Sequence, residues 1–476
     1  MQKYDQYKKT MLFLASIVNM LFMAAVFAYI WYHYYSKMMF GVSFYRKGNY
    51  VVIALYAFIF FFFSAMYGSL KIGQMRRIEI LLSQYLSLML TNVIAYVIIS
   101  LLAFRFVTVF YLLVAMGCQI VISTIWNSIV IKLYNRIFQP WRLLLIYGER
   151  PAADLVYKVE TRRDKYAIYD AVHIDEGIEK IAERIKDFQA VIIGDISAVK
   201  RNDILKYCYA NKVRAYVIPK ISDIILMGAE RVHVFDTPFL LLRGYTLSFE
   251  QRFGKRLLDI LLSVILLILT SPVMLLTALA IKISDGGPVF YKQIRCTKNE
   301  KKFYIYKFRS MVVDAEEDGV AQLAKENDSR ITKVGRILRR FRIDELPQLF
   351  NIVKGDMSFV GPRPERPEII EEYCKTMPEF PFRNRIKAGL TGYAQVYGKY
   401  NTTPYDKLKL DLFYIANYSL WTDIKLILMT IKTLFRPEAT EGVEESQLTA
   451  TREMGQNNQN VEEIVKEIVN MNKEEN

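Results

Sequence analysis

Four apolar runs, near residues 11–31, 51–67, 86–104 and 107–125, constrain this chain more than any other feature. Each is about the length that crosses a ~30 Å hydrocarbon core, where a backbone must satisfy its own polar groups. The runs predict four transmembrane helices. The first does not read as a cleaved leader, since it is long and no small-x-small pattern follows Trp31 before His33-Tyr34-Tyr35. Lys3, Lys8 and Lys9 precede the first helix, Lys71, Arg76 and Arg77 follow the second, and Lys132, Arg136 and Arg142 follow the fourth. The opposite side carries Lys37, Arg46, Lys47 and Arg105. This excess places the N-terminus and the chain beyond the fourth helix in the cytoplasm. A content of 53% hydrophobic and 14% aromatic residues alongside a net charge of +15 fits a membrane protein with basic cytoplasmic parts.

A fifth apolar run, Ile260 to Ile281, is interrupted by Ser271-Pro272. Taken alone it reads as another spanning helix. Its flanks disagree: Arg252, Lys255 and Arg256 precede it, and Lys282, Lys292, Arg295 and Lys298 follow, so both ends favour the cytoplasmic side. A proline costs a straight helix about 3 kcal/mol, and a neighbouring serine can satisfy the carbonyl it frees. The expectation is a re-entrant helix over about 257–283 that bends at Ser271-Pro272 and leaves by the face it entered.

Between these membrane segments, residues 142–246 look soluble and α/β. Leu143 to Tyr147, Ala190 to Asp195 and Ala215 to Ile218 read as buried strands with helical stretches between them, which predicts a parallel sheet of Rossmann type. Its first turn, Gly148-Glu149-Arg150-Pro151, lacks G-x-G-x-x-G and puts a carboxylate where a pyrophosphate would sit. A structural or regulatory module is the default reading, with dinucleotide binding as the alternative.

Cysteines and histidines narrow the chemistry. Cys118, Cys208, Cys296 and Cys374 lie far apart with no C-x-x-C, which excludes a zinc knuckle. The three histidines, His33, His173 and His233, leave none beyond residue 233, so the C-terminal half must work with carboxylates, lysine, tyrosine, serine or a metal. There, Phe290–Gln293 and Phe303–Met311 alternate like a hairpin around Lys298-Asn299-Glu300, and Lys307 and Arg309 would share a face that either meets anions or is merely solvated. Ile331, Val334, Ile337, Leu338 and Phe341 have helical spacing, with Lys333, Arg336, Arg339 and Arg340 available for phosphate or lipid head groups. Residues 388–399 form a glycine-punctuated loop, for phosphate approach or for tight turns. Tyr405–Trp421 has amphipathic character, and 424–435 is an interfacial or packed segment. Beyond Pro437 the chain is acidic, and Val461, Ile464, Val465, Ile468 and Val469 follow i, i+3, i+4, i+7, i+8, as in a partner-binding or self-associating helix.

The densest chemistry lies between residues 339 and 365. Arg339, Arg340 and Arg342 crowd the carboxylates Asp344 and Glu345, and Arg363 follows in Gly361-Pro362-Arg363-Pro364. Carboxylates serve as nucleophiles or Mg²⁺ ligands, and guanidinium groups hold phosphate oxygens in pairs, which together suggest phosphoryl chemistry. A helix-terminal ion pair is the competing reading. An aspartate amid these arginines should stay ionised and so needs no histidine base.

From about Phe253 to Arg436 the chain resembles the bacterial sugar transferase family, the monotopic polyprenyl-phosphate hexose-1-phosphate transferases. The resemblance is carried by Lys255-Arg256-x-x-Asp259, Ser271-Pro272, Lys307-Phe308-Arg309-Ser310-Met311, Asp344-Glu345-Leu346-Pro347-Gln348, Gly355-Asp356-Met357-Ser358 with Val360-Gly361-Pro362-Arg363-Pro364, and Gly389-Leu390-Thr391-Gly392. The whole chain is similar to the larger members that initiate exopolysaccharide, capsule or O-antigen synthesis. The resemblance implies that Asp344 attacks the β-phosphorus of a UDP-sugar, releasing UMP, and that undecaprenyl phosphate then takes the sugar phosphate. Glu345 would help hold Mg²⁺, Arg339 and Arg363 would lie near the phosphates, and Asp411 matches an acidic position in the closing helix. Lys307 and Arg309 would also bind substrate. Lys399 stands where many members have arginine, and would meet phosphate as a point charge.

The expected organisation is a four-helix transmembrane region (1–137), a Rossmann-like cytoplasmic module (138–246), a mainly α, α+β catalytic domain with a re-entrant helix (247–437) and an acidic tail with an amphipathic helix (438–476). The expected setting is the cytoplasmic face of a bacterial inner membrane, with the bilayer, a UDP-sugar and undecaprenyl phosphate as partners, a homo-oligomer as a further possibility, and no nucleic acid. A non-enzymatic scaffold of polysaccharide assembly and a five-span transporter are the alternatives. No motif identifies the sugar.

Overall fold

The computed structural model describes residues 7–38, 46–148, 152–244, 246–312, 328, 330–398, 402–434 and 461–474. They form two compact units, one of residues up to Ile218 together with the C-terminal helix, the other from Pro219 onward.

The first unit begins with α1 (Lys8–Ile30), α2 (Arg46–Tyr67), α3 (Arg77–Leu102) and α4 (Phe110–Ile137), each long and apolar enough to cross a membrane. Their shared interior is partly polar. Asn19 Nδ2 donates to Gln84 Oε1 (3.0 Å), Asn92 Nδ2 to Gln119 Oε1 (3.0 Å), and Gln119 Nε2 to the Tyr56 hydroxyl (2.8 Å). Such inter-helix hydrogen bonds supply specificity where lipid removes the hydrophobic drive for helices to associate.

A parallel four-stranded sheet follows, built from β1 (Trp141–Tyr147), β2 (Tyr166–His173), β3 (Ala190–Ile193) and β4 (Arg214–Val217) in the order β2-β1-β3-β4. The intervening helices are α5 (Ala153–Glu160), α6 (Ile178–Ile185) and α7 (Ala198–Ala210). Alternation along β1 explains its unbroken apolar run. Leu143 and Leu145 join the cluster with α5, and Leu144 and Ile146 join the one with α6 and α7. Strand β2 was not expected from the sequence. It is an edge strand carrying Asp170, and its register against β1 shifts between Leu143 and Leu144, so its apolar pattern is broken. Where a dinucleotide would enter, a Cβ at Gly148 would meet Ile174 and Ile196 side chains at 2.8 and 3.1 Å, so the glycine serves packing. Glu149, Arg150 and Pro151 lie outside the described residues.

The C-terminal helix (Val461–Glu474) has the predicted apolar stripe, but that stripe is covered within the chain. Val461, Ile464 and Val465 are buried in the same cluster as Leu143, Leu145 and Val156, with Ile468 and Val469 packed alongside. It is therefore a layer of the module, not a free surface for a partner.

The second unit starts at residue 219. Helix α8 (Ile221–Met227) packs against the catalytic part, and a Cβ at Gly228 would lie 3.1 Å from Ala416. A hairpin of β5 (Glu230–Val234) and β6 (Thr237–Leu241) leads to α9 (Phe249–Asp285), 37 residues long. Ser248 caps α9, its Oγ accepting from Gln251 N while Gln251 Oε1 accepts from Ser248 N, and Gly286 ends it with a left-handed φ of +69°. The helix continues through Pro272. Ser271 Oγ donates to Ile268 O (2.8 Å), the carbonyl four residues before the proline, as the sequence suggested.

Beyond α9 come the antiparallel hairpin β7 (Phe290–Cys296) and β8 (Lys302–Phe308), then α10 (Lys333–Arg340), α11 (Gln348–Lys354), β9 (Ser358–Val360) and α12 (Pro367–Thr376). Strand β10 (Gly389–Thr391), α13 (Tyr393–Tyr397), α14 (Pro404–Ala416) and α15 (Leu420–Thr433) complete the unit. Strands β9 and β10 form a short parallel pair. Its glycines allow backbone contact: a Cβ at Gly389 would lie 2.1 Å from Gly361 N, and one at Gly392 would lie 2.2 Å from Gly361 O. The glycine-punctuated loop is thus built for strand packing. The lysine at 399 lies outside the described residues.

The placement of the C-terminal helix generates a prediction. Val465→Asp puts an unpaired carboxylate into the sheet-covering cluster and should destabilise the first unit by on the order of 3 kcal/mol, read as faster hydrogen exchange in β1 and β2.

Candidate active site

The site is assembled by a short 3-10 turn, Ile343–Glu345, which directly follows α10. Thr332 starts α10 by accepting from Gly335 N (2.9 Å), and Gly335 is required because a Cβ there would run into Ser310 O. The helix stops at Phe341, and Arg342 takes a left-handed conformation (φ +57°, ψ +22°) that non-glycine residues rarely adopt. This bend buries Asp344 and Glu345 side by side, while Ile343 and Leu346 pack towards Ile281, Phe308 and Leu338. The apolar frame that surrounds the carboxylates in sequence is what seats the turn.

Glu345 is ringed by cations from three segments. Arg363 Nη2 donates to Oε1 at 3.1 Å, Lys307 Nζ lies 3.5 Å from Oε1, and Arg342 Nη1 lies 3.6 Å from Oε2. Burial pushes its carboxyl up, but Arg363, Lys307 and Arg342 outweigh it and hold the group well below the usual carboxylate range. Asp344 goes the other way. Burial, reinforced by the adjacent Glu345 charge, raises it from 3.8 to about 6 against the pull of Lys307, Arg339 and Arg342. The arginine-rich surroundings therefore do not outweigh burial. It is ionised at neutral pH by a margin of about one unit, and Arg340 is exposed, with its guanidinium 5.8 Å from the Phe341 ring centroid.

Two atoms here have no protein partner: Asp344 Oδ1, a buried acceptor, and Arg339 Nη1, a buried donor five residues earlier. Buried polar atoms are ordinarily bonded, so an orphan acceptor and an orphan donor in one site fit a place where substrate binds. The pair of carboxylates has split roles: Glu345 is a fixed anion neutralised by the protein, and Asp344 is a more basic carboxylate with an open oxygen. No group of three or more His, Cys, Asp and Glu side chains that could hold a metal occurs among the described residues. Mg²⁺ commonly needs only one or two carboxylates when phosphates complete its shell, and the adjacent Asp344 and Glu345 meet that requirement.

The other expected site residues divide. Arg339, Arg363 and Lys307 join the carboxylates. Arg309 does not: its Nε donates to Pro288 O (2.7 Å), and its guanidinium lies where a Cβ on Gly287 would be. Asp411 is also elsewhere, 1% exposed and gripped by Arg383, whose Nε and Nη2 lie 2.9 and 2.8 Å from Oδ2. Lys255, Arg256 and Asp259 bind the catalytic core through protein contacts. Lys255 Nζ donates to Asp423 Oδ2 (2.7 Å) and Val360 O (2.8 Å), Arg256 to Ile352 O (2.6 Å), and Asp259 Oδ1 accepts from Phe359 N (2.8 Å). Sequence reading did not single out Arg342 as a ligand of Glu345, though its position was visible. Arg383 and Asp423 carry no local signal, because their partners lie 28 and 168 residues away.

The raised pKa predicts a stability effect with a definite sign. A carboxyl whose pKa is about 6 folded and 3.8 unfolded binds its proton more tightly in the native state, so stability is gained as pH falls from about 6 towards 3.8. At pH 7.5 the ionised group costs about 3 kcal/mol. Asp344→Asn should therefore unfold at higher temperature than the wild type at pH 7.5, and this advantage should shrink as pH drops through 6.

The family model described as bacterial sugar transferase matches residues 250–437. A UDP-N-acetylgalactosamine-undecaprenyl-phosphate N-acetylgalactosaminephosphotransferase of Aeromonas hydrophila is 39% identical over 233 residues, 48% of this chain and 54% of that one. A UDP-glucose:undecaprenyl-phosphate glucose-1-phosphate transferase of Caulobacter vibrioides is 42% identical over 185 residues, 38% of this chain and 69% of its own. An uncharacterized sugar transferase of Bacillus subtilis is 37% identical over 202 residues, 42% of this chain and 96% of its own. The chain spans about half the length of several curated relatives it matches, including those of Aeromonas hydrophila and Klebsiella pneumoniae. The stretch the family model covers includes the turn that carries Asp344 and Glu345, and the chain belongs to the bacterial sugar transferase family.

Proposed function

We propose that this protein transfers sugar-1-phosphate from a UDP-sugar to undecaprenyl phosphate, through a covalent intermediate on Asp344, as the opening step of a surface polysaccharide. The observation that carries this reading is the open Oδ1 of a buried, raised-pKa aspartate beside an unpaired Arg339 nitrogen. The names of the relatives, which differ in the sugar but share the undecaprenyl-phosphate acceptor, support the substrate class.

In the first step Asp344 Oδ1 bonds to the β-phosphorus, and the bond from that phosphorus to the bridging oxygen breaks. The oxygen and its electron pair leave with UMP. Arg339 holds a phosphoryl oxygen, and Arg363 and Lys307 share their charge between Glu345 and the pyrophosphate. Glu345, kept ionised, holds these cations in place without competing as a nucleophile. Glu345 and Asp344 would hold Mg²⁺, which when bound would supply positive charge to offset that developing on the departing UMP. In the second step a phosphate oxygen of the polyprenyl lipid attacks the same phosphorus, and Asp344 leaves as carboxylate. The product is the lipid-linked sugar diphosphate.

This chemistry needs a soluble donor and a membrane-bound acceptor to meet, and α9 supports a placement at the cytoplasmic surface. Its first turns bind the catalytic core through Lys255 and Asp259, Leu262 and Leu266 line the main core, and Met274, Ala278 and Ile281 pack with Phe308 and Leu338. Ile268, Leu269, Leu275, Leu276 and Leu279 are exposed and apolar. A helix with one polar body packed along both of its halves, and lipid-compatible residues on its other face, is suited to enter and leave by one side. It is poorly suited to crossing, which would put the ends of that body on opposite sides of a ~30 Å core.

Two measurements test this reading. With purified protein, undecaprenyl phosphate and a panel of UDP-sugars, wild type should release UMP with an acid limb near pH 6, and Asp344→Asn should release none; retained turnover in that variant refutes the covalent step. Single cysteines at positions 252 and 287 should be labelled from the cytoplasmic face alone, and labelling from opposite faces overturns the re-entrant topology.

A further inference from the structure

We infer that the buried Asp411–Arg383 pair is a positioning device that fixes the backbone of Arg363 and so aims its guanidinium at Glu345, with neither member touching substrate. What Arg363 does once aimed rests on the phosphoryl-transfer reading; the clamp itself does not.

Residues Gly361 to Arg366 lie between β9 and α12 and belong to neither, so regular structure does not fix them. A segment of this kind would ordinarily be adaptable, yet its backbone is held at nearly every residue. Lys255 Nζ donates to Val360 O (2.8 Å), Gly361 N donates to Thr391 O (2.9 Å), and Gly389 N donates to Pro362 O (2.9 Å). Arg383 Nη2 donates to Arg363 O (3.0 Å), Arg295 Nη1 to Pro364 O (3.1 Å), and Cys296 N to Glu365 O (3.0 Å).

Among these contacts the one on Arg363 itself comes from a side chain that is 3% exposed and is in turn held by Asp411. Arg383 also places Nη1 3.6 Å from Glu365 Oε1, and Arg295 lies 3.7 Å from Glu365 Oε2. A guanidinium suits the task because its planar fork can grip a carboxylate and a carbonyl at once, which an ammonium cannot do with fixed geometry. The chain of contact runs from Asp411 through Arg383 to the Arg363 carbonyl, and then through the Arg363 side chain to Glu345. Burying such a pair costs desolvation and is weak as a means of stability, so its retention is better accounted for by the geometry it imposes.

The test uses the full chain in lipid nanodiscs, with Asp411→Asn, Arg383→Lys, Arg363→Ala and the two doubles carrying Arg363→Ala. Arg383→Lys keeps a charge facing Asp411 and guards against a variant that simply fails to fold. Each of the first two should speed amide exchange at Gly361, Gly389 and Cys296, whose N–H groups hold this segment, by about tenfold while β8 keeps its protection. Each should lower kcat/KM for UMP release by about a hundredfold, as expected for a misplaced binding group. In the Arg363→Ala background the same changes should cost no more than about twofold, because the residue they act through is gone. Losses that multiply, unchanged exchange at Gly361, Gly389 and Cys296, or exchange that rises throughout the unit would each overturn the positioning role. A wild type that releases no UMP would overturn the transferase reading, and the exchange arm would still decide the clamp.

Discussion

The catalytic unit depends on one carboxylate. Glu345 draws Lys307 from strand β8, Arg342 from the bend after α10 and Arg363 from the segment after β9 onto a single buried anion. Without that anion three cations would face one another in a low-dielectric pocket, and without the cations a buried glutamate would have to take up a proton. The same convergence sets the chemistry next door. Burial and the adjacent Glu345 charge together outweigh the pull of Lys307, Arg339 and Arg342 on Asp344, which is left as the basic member of the pair.

Around this centre the backbone itself packs closely. Gly361, Gly389 and Gly392 bring β9 and β10 together at distances that no side chain would permit. Lys255 and Asp259 pin the start of α9 to those same residues, through Val360 O and Phe359 N. The segment carrying Arg363 is consequently fixed from two sides, by its strand partner and by the membrane helix. In the proposed topology this ties the position of Arg363 to the element that seats the protein in the bilayer.

Much of this was legible in the sequence where one residue's neighbours in space are its neighbours in the chain. The four apolar runs, the alternation of the β7–β8 hairpin around Lys298-Asn299-Glu300, and the Ser271 contact to Ile268 O are all local consequences of hydrophobic period or of proline stereochemistry. The helical stripe at Val461 to Val469 was equally clear, but a stripe reports only that a face must be covered. What covers it is a sheet about 300 residues earlier, and amphipathic spacing contains no information on that partner. For the same reason Lys255, Arg256 and Asp259 looked like a membrane-flanking motif and proved to be core ligands.

What the sequence by itself determined is the inventory: membrane-length helices, a parallel sheet, and a carboxylate pair with arginines in a chain whose C-terminal half has no histidine. What only the tertiary structure decided is which charges meet. Arg309 and Asp411 carry the same kinds of groups as Arg363 and Glu345, yet one turns to Pro288 O and the other is closed off by Arg383. Composition and spacing could not separate them, because a pKa and a free valence depend on burial and on partners far along the chain. The direction of the Asp344 shift is the clearest instance. Counting nearby arginines points down, while the folded protein, by removing water and placing the Glu345 charge alongside, moves it up.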